Sequence, residues 1–253
     1  MGSQKLELSR ELQSWMGEPN YIVFNLEAQV QTANHLPLLK QSFRDFSFFE
    51  SLRESFLKTK LIAGVANNHF HDFDSQSRKN CFDGLIERGI LVCGEEGQET
   101  LDLAPKLNLK FHTAWVEDTN QKPGPSPIED LKLEKNAQHI LFLHAGQEFS
   151  VAPAKELEEF EATLPQNLLA LVCHHTHRPS GIEWRKQRLV AWGLGNFCTP
   201  FGGNPVRWGQ VLKLRLSRGE SAWRISHVDW SFLKCRRVSG KSVVELQESY
   251  PYL

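Results

Sequence analysis

The chain has 253 residues, of which 40% are hydrophobic and 23% are charged, and its formal net charge is −1. These values are typical of a globular α/β protein, and we expect residues 1–253 to form a single domain. The near-neutral charge argues against a nucleic-acid partner, and no apolar run approaches the roughly 20 residues needed to span a bilayer.

The cysteine pattern indicates the redox state of the cellular compartment. The five cysteines are Cys81, Cys93, Cys173, Cys198 and Cys235. They are scattered, odd in number and lack a C-x-x-C pair, which is typical of reduced thiols. Residues 1–17 contain no apolar segment of the secretory type. The sequence therefore predicts a cytoplasmic protein.

The first half of the chain alternates between predicted strands and helices. The apolar, β-rich residues 21–26 predict a buried strand that ends at Glu27. Apolar positions at helical spacing predict a helix over residues 43–57. Residues 61–66 predict the next strand, and a run of polar residues follows its carboxyl end.

The alternation then continues through most of the chain. A helix is predicted from Asp74 or Ser75, either of which can cap it, to about Arg88, with Gly89 closing it. An acidic helix is predicted over residues 154–164. Further strands are predicted over residues 90–93, 107–115, 139–143, 168–172 and 189–192.

Two segments depart from this alternation. The closely spaced prolines of residues 121–127 exclude regular structure, and we interpret this segment as a surface loop. Residues 211–216 and 223–230 alternate with period two around residues 217–220. They predict an antiparallel hairpin.

Six of the ten histidines follow predicted strands in three short segments. These segments are residues 66–72, 143–146 and 172–177. Neutral imidazole is the commonest metal ligand among side chains, and the strand ends of open α/β sheets are where ligands bind. Glu27, Asn68, His144 and His175 each lie at or just after such an end. This shared position predicts one metal site.

Five motifs occur in a fixed order along the chain. They are Asn25-Leu26-Glu27, Ala66-Asn67-Asn68-His69 with Asp72, His144-Ala145-Gly146-Gln147-Glu148-Phe149 with Pro153, His174-His175-Thr176-His177, and Gly193-Leu194-Gly195-Asn196-Phe197. Together they resemble the CapA-type branch of the calcineurin-like metallophosphoesterases, which is associated with capsule and poly-γ-glutamate synthesis. The resemblance implies an α/β fold of the four-layer α/β/β/α sandwich type, with divalent metal at the strand ends.

The resemblance also implies the ligands. One metal of this architecture takes a bridging carboxylate, an asparagine carbonyl and two histidines, and motif matching assigns these to Glu27, Asn68, His144 and His175. Glu27 and His177 remain for a second metal. Mixed oxygen and nitrogen ligation without thiolate suits Mn, Fe or Zn.

The chain departs from the family pattern at its start. Family members open with a strand that carries a Gly-Asp pair, and no residue before Tyr21 supplies it. Its Asp would bind the second metal, so we expect one well-formed metal position and one weakened position. An upstream start of the natural chain would also explain this departure.

The function implied by the resemblance is hydrolysis of a phosphoester by metal-bound hydroxide. His69, adjacent to Asn68, would protonate the leaving oxygen, with Asp72 or His71 orienting it. The substrate would be a phosphoester or a polymer-related small molecule. The alternative is a non-catalytic capsule or polymer assembly factor with a degenerate metal site. Neither the substrate nor the oligomeric state follows from the sequence.

Several residues keep simpler interpretations. Glu27 can be a solvated carboxylate at a strand end, Asn68 can cap a helix, and His144 or His175 can be a hydrogen-bonded core histidine. His174 either supports the ligands or belongs to the turn structure, and His71 is either solvent-exposed or functional. Glu148 either binds substrate or pairs with an arginine. Cys173 is either a buried structural thiol or a metal ligand. The Gly193–Phe197 turn is predicted to be structural, with Asn196 bonding the ligand loop.

Overall fold

The computed structural model describes residues 5–30, 42–43, 45–70, 72, 74–95, 97–113, 131–199 and 204–251. Its helices are α1 (Arg10–Met16), α2 (Ser47–Ser55), α3 (Ser75–Glu87) and α4 (Lys155–Thr163), with a short 3-10 helix at Asn204–Arg207. The predicted loop over residues 121–127 and His71 lie outside the described residues. None of the described helices combines the length and apolar character that crossing a bilayer requires.

The described strands fall into four hydrogen-bonded sheets. In chain order they are β1 (Leu6–Leu8), β2 (Tyr21–Asn25), β3 (Gln29–Val30), β4 (Ser42–Phe43), β5 (Lys60–Gly64), β6 (Ile90–Cys93), β7 (Thr100–Ala104), β8 (Leu107–Thr113), β9 (Gln138–His144), β10 (Leu168–His174), β11 (Ile182–Arg185), β12 (Arg188–Ala191), β13 (Trp208–Arg218), β14 (Trp223–Val238) and β15 (Lys241–Gln247). The mixed α/β class predicted from the sequence is confirmed.

The largest sheet has six strands in the order β11-β12-β10-β9-β8-β7. Its four central strands are parallel, while β7 and β11 run antiparallel at the edges. A smaller parallel sheet has the order β2-β5-β6. Because parallel strands end on the same side of a sheet, each of these two sheets presents its carboxyl ends along one edge.

The remaining strands form a four-stranded sheet, β1-β15-β14-β13, and the two-stranded pair β3-β4. The predicted hairpin is confirmed as β13 and β14, but β14 continues to Val238 and pairs with β15 as well. The sequence patterns did not predict α1 or the strands β1, β3, β4, β7, β11 and β15. Their short apolar segments give little periodic signal on their own, and β1 is held by its parallel pairing with β15.

One apolar core joins the six-stranded and three-stranded sheets. Its fully buried members are Ile62, Cys93, Leu109, Phe111, Ile140, Ala170 and Leu189. At Gly64 the two sheets approach so closely that an added Cβ would lie 1.9 Å from Cε1 of Phe111. Glycine is therefore required there by the packing of the ring.

Two further cores lie against the helices. Residues of α1, α2 and α3 pack against β5, β6, β14 and β15, and α4 packs against β9, β10 and β12. Asp74 caps α3 by accepting a hydrogen bond from the Ser77 N–H at 2.8 Å, and Gly89 follows with a φ of 70°, which confirms the predicted helix. The predicted helix over residues 43–57 is shorter, because it begins after Phe46.

Candidate metal centre

Four strand ends from two sheets meet at one place. Glu27 follows β2 and Asn68 follows β5 in the three-stranded sheet, while His144 ends β9 and His175 follows β10 in the six-stranded sheet. In the register of β9 and β10, His144 lies beside His174, which puts the next residue, His175, at the same edge. The junction of the two sheets therefore gathers side chains from distant parts of the sequence.

The donor atoms lie within a few ångströms of one another. Nε2 of His144 lies 3.1 Å from Oδ1 of Asn68 and 3.7 Å from Oε1 of Glu27. Ligand atoms of Glu27, His144 and His175 all lie within 4.8 Å of each other. Neighbouring ligands bound about 2.1 Å from one ion are roughly 3–3.6 Å apart, so a small contraction would bring the three onto one cation.

His177 approaches the same carboxylate oxygen from another side. Its Nε2 lies 3.5 Å from Oε1 of Glu27, and its Nδ1 lies 3.0 Å from Oδ1 of Asn196. The Asn196 amide donates its N–H to the carbonyl of Val206 at 2.8 Å, which fixes its oxygen toward His177. Nδ1 of His177 must therefore carry the proton and donate it, which leaves the Nε2 lone pair directed at the site.

The Glu27 carboxyl is electrostatically unusual. Its side chain is 15% exposed, and its Oε1 is a buried atom that accepts no hydrogen bond from the described residues. Burial raises the pKa of Glu27 to about 7, with nearby Glu148 adding to the rise and His177 opposing it. A buried carboxylate oxygen that faces two imidazoles without accepting a hydrogen bond from the described residues is well suited to bind a cation.

The neighbouring histidines are held in their neutral form. Burial, together with the nearby charges of His177 and His69, lowers the pKa of His175 to about 4. Burial also lowers the pKa of His144 well below its ordinary value. Since a metal binds neutral imidazole, these shifts prepare the donors and keep protons from competing for them.

The turn after β10 adopts unusual backbone angles at both of its site histidines. His175 has a φ of 94° and His177 a φ of 56°, in the left-handed region that non-glycine residues rarely adopt. Such residues cost about 1–3 kcal/mol each and persist where the surrounding structure imposes them. Here the strained turn directs two imidazoles to the same side of the sheet edge.

Two asparagines connect the Glu27 carboxylate to the neighbouring strand by hydrogen bonds. Asn67 is buried and donates to Oδ1 of Asn25 at 3.0 Å and to the Leu26 carbonyl at 2.9 Å. Asn25 in turn donates to Oε2 of Glu27 at 3.1 Å. Both asparagines lie in the sequence motifs, but no role was predicted for them. Hydrogen bonds between amide side chains at two strand ends depend on the packing of β2 against β5.

His69 and Asp72 form a close pair beside the centre. Nδ1 of His69 lies 2.7 Å from Oδ2 of Asp72, and their side chains are 15% and 4% exposed. The His69 N–H bonds to Oδ1 of Asn67 at 3.2 Å, which ties this turn to the same asparagine. The pair leaves Nε2 as the ring nitrogen available to a ligand.

The structure also places the residues whose interpretation was open. His174 is half-buried at the end of β10, stacked on Phe142 with ring centroids 5.2 Å apart. Cys173 is fully buried, and burial raises its pKa, so it is a neutral structural thiol. Glu148 is exposed. Asn196 holds His177, as described above.

The described residues before Tyr21 contribute no ligand to the candidate centre. The described residues before Tyr21 contain three carboxylates and no histidine: Glu7, Glu11 and Glu18. Glu7 pairs with Lys241 at 3.0 Å and Glu18 with Lys58 at 3.8 Å. Within the described part of the chain, the metal-type group therefore consists of Glu27, His144 and His175, with Asn68 and His177 adjacent.

A comparison with protein-family models gives a match that covers the last three motifs. Residues 102–200 match the family model described as bacterial capsule synthesis protein PGA_cap. The predicted resemblance to the CapA-type family is confirmed. The matched span runs from β7 to the turn after β12 and contains His144, His175, His177 and Asn196. A comparison with curated proteins finds no match.

Proposed function

We propose that this capsule-synthesis-related protein is a metal-dependent phosphoesterase-like hydrolase. The observation that carries the proposal is the buried Oε1 of Glu27, which faces the Nε2 atoms of His144 and His177 at 3.7 and 3.5 Å without accepting a hydrogen bond from the described residues. In this proposal a divalent Mn, Fe or Zn ion is held by Glu27, Asn68, His144 and His175. His177 contacts the Glu27 carboxylate as well.

Such a cation would generate a hydroxide nucleophile near neutral pH and neutralise charge on a phosphoryl oxygen. The chain's own residues would do the rest. His69 would give the proton at Nε2 to the leaving oxygen, and Asp72 would hold its Nδ1 and stabilise the charged ring at 2.7 Å. General acid catalysis of this kind contributes about 10²–10⁴-fold.

We also propose that residues 1–253 form one domain of the four-layer α/β/β/α type. Three of the apolar cores support this arrangement, because one joins the six-stranded and three-stranded sheets and the other two lie between sheets and helices. The calcineurin-like superfamily is consistent with the matched family. In this fold the junction of the two sheets would be the natural place for the centre.

A second function is favoured by one observation. The described residues before Tyr21 bring no Asp or His to the centre, so the carboxylate of Glu27 has only His177 on its second side. A single structural ion would suit a non-catalytic capsule or polymer assembly factor. The half-buried His69–Asp72 pair favours the enzyme instead, since a structural ion needs no proton donor.

The experiment is Mn²⁺-dependent hydrolysis of bis(p-nitrophenyl) phosphate by the purified protein, together with titration calorimetry of Mn²⁺ binding. We expect Asn68→Ala and Glu27→Gln to lose metal binding and turnover, and His69→Ala to lose turnover alone. His227→Ala is the matched control, because His227 is exposed and bonds to Asp229 on β14. Metal binding without any turnover would favour the assembly factor, and absence of both would overturn the metal site.

A further inference from the structure

Phe149 combines two features that are unusual for a phenylalanine. Its side chain is 53% exposed, although phenylalanine is among the most often buried residues. Its φ is 62°, in the left-handed region that bulky side chains rarely adopt. A strained backbone and an exposed apolar ring both oppose stability, and their coincidence next to a candidate centre points to a use in binding.

The backbone of Phe149 is fixed on both sides to the histidine turn. Its N–H donates to the Thr176 carbonyl at 2.8 Å, and its own carbonyl accepts from Nη1 of Arg178 at 3.2 Å. Nε of Arg178 also donates to the hydroxyl of Tyr250 at 3.0 Å. Tyr250 is buried against the rings of Trp208 and Phe232. The backbone that carries the exposed ring is therefore held in place by hydrogen bonds to buried or anchored residues.

The ring lies beside the candidate centre. Its centroid is 5.9 Å from that of the His177 ring, at an interplanar angle of 32°. His177 contacts Glu27 as well, since its Nε2 is 3.5 Å from Oε1 of that carboxylate. A ligand whose anionic end occupies the centre and whose next atoms follow His177 would reach Phe149 at the separations where aromatic rings pair.

We propose that Phe149 is an aromatic subsite that binds the flat leaving group of the substrate. The ligand class is a phosphoester, or a phosphonate analogue, whose alcohol carries an aromatic ring or another planar face. This inference rests on the proposed function, because the anionic end of the ligand must be held at the metal centre. It adds the specificity that the metal ligands cannot supply, since they contact only the phosphoryl group.

Exposure alone does not identify the subsite. Trp184 on β11 is 54% exposed and Trp230 on β14 is 46% exposed, and single exposed apolar side chains are common on protein surfaces. Neither residue has a positive φ. Phe149 differs because its strain, its two backbone anchors and its contact with His177 coincide. Trp184 is therefore the matched control for removal of an exposed aromatic ring.

The test measures equilibrium binding of phosphonates to the Mn²⁺-loaded protein by calorimetry. We expect phenylphosphonate to bind about fivefold tighter than methylphosphonate or cyclohexylphosphonate, in line with typical aromatic pairing. Phe149→Leu should abolish this preference while methylphosphonate binding stays unchanged. Phe149→Tyr should retain the preference, and Trp184→Leu should leave it intact.

Each outcome bears on the inference. Equal binding of the three phosphonates by the wild-type protein would overturn the subsite and leave the proposed function standing. An unchanged phenyl preference in Phe149→Leu would also overturn it. If no phosphonate bound to the metal-loaded protein, the proposed function would fail and this inference with it. The wild-type comparison of phenyl with cyclohexyl probes needs no variant, so a folding defect in Phe149→Leu would not obscure the result.

Discussion

The side-chain amide of Asn67 donates to Oδ1 of Asn25 at 3.0 Å and so joins the carboxyl ends of β5 and β2 beneath the candidate metal centre. The Asn25 amide in turn donates a hydrogen bond to Oε2 of Glu27 at 3.1 Å. The position of the Glu27 carboxylate is therefore set by two amides from neighbouring strands, rather than by the flexible end of its own side chain.

Removal of Asn67 should disturb both folding and metal binding. Asn67→Ala would leave the N–H groups of His69 and Phe70 and the Leu26 carbonyl without their buried partner. We expect the free energy of unfolding to fall by about 2–4 kcal/mol, and Mn²⁺ affinity to fall with it. Urea unfolding and calorimetry measure the two effects.

The matched control for this change is Asn80→Ala, because Asn80 is exposed on α3 and its side chain accepts a hydrogen bond from the Gln76 amide at 2.8 Å. It should shift stability by less than about 0.5 kcal/mol. Unchanged Mn²⁺ affinity in Asn67→Ala would show that Glu27 does not need the amide connection.

Metal affinity should depend on pH through Glu27. Burial raises the pKa of this carboxyl to about 7, so without metal its contribution to stability is present below about pH 4.5 and is lost as the pH rises through 7. A cation binds the carboxylate and displaces this proton. We expect Mn²⁺ affinity to fall about tenfold per pH unit below pH 7, and the rise in Tm caused by Mn²⁺ to be larger near pH 8 than near pH 6.

The histidines set the lower limit of this dependence. Because burial lowers the pKa of His175 to about 4, its contribution to stability is present above its unfolded pKa of about 6.5 and is lost as the pH falls toward 4.

The proton that Mn²⁺ displaces from Glu27 can be measured directly. Calorimetry in buffers of different ionisation enthalpy should detect about one proton released near pH 6. The release should disappear at about pH 8.5, where the Glu27 carboxyl is already ionised, and pH-independent binding would contradict the assignment.

Asp72→Asn should separate catalysis from metal binding. The substitution keeps the shape of the side chain but removes the charge that lies 2.7 Å from Nδ1 of His69. We expect kcat for bis(p-nitrophenyl) phosphate to fall roughly 10²-fold, with Mn²⁺ affinity within about twofold of the wild type. Asp83→Asn on the exposed face of α3 is the control. Equal loss of affinity and kcat would indicate that Asp72 supports the metal site instead.

Gly64→Ala should be strongly destabilising. An alanine Cβ would overlap the ring of Phe111, which is 3% exposed and lies in the core between the two parallel sheets. Overpacking of this kind costs about 1–3 kcal/mol or more, and we expect Tm to fall by roughly 5–10 °C. Gly181→Ala is the control, since its Cβ would make an ordinary 3.7 Å contact with Trp192. Phe111→Leu in the Gly64→Ala background should recover part of the loss.

The sequence alone determined the local elements and the chemistry carried at their ends. Short apolar runs predicted β2, β5, β9 and β10, and period-two alternation predicted the hairpin of β13 and β14, because a strand between turn residues is specified within a few positions. The Asp74 cap and Gly89 defined α3 for the same reason. The five motifs predicted the family that the match over residues 102–200 confirms.

Only the tertiary structure decided how these ends meet. The burial of Oε1 of Glu27, the protonated nitrogen of His177 and the anchoring of Phe149 each depend on side chains from separate segments. Asn196 fixes the tautomer of His177 only because the turn after β12 packs against the turn after β10. Local periodicity carries no information on such contacts, since they arise from the packing of two sheets whose relative position no short segment specifies.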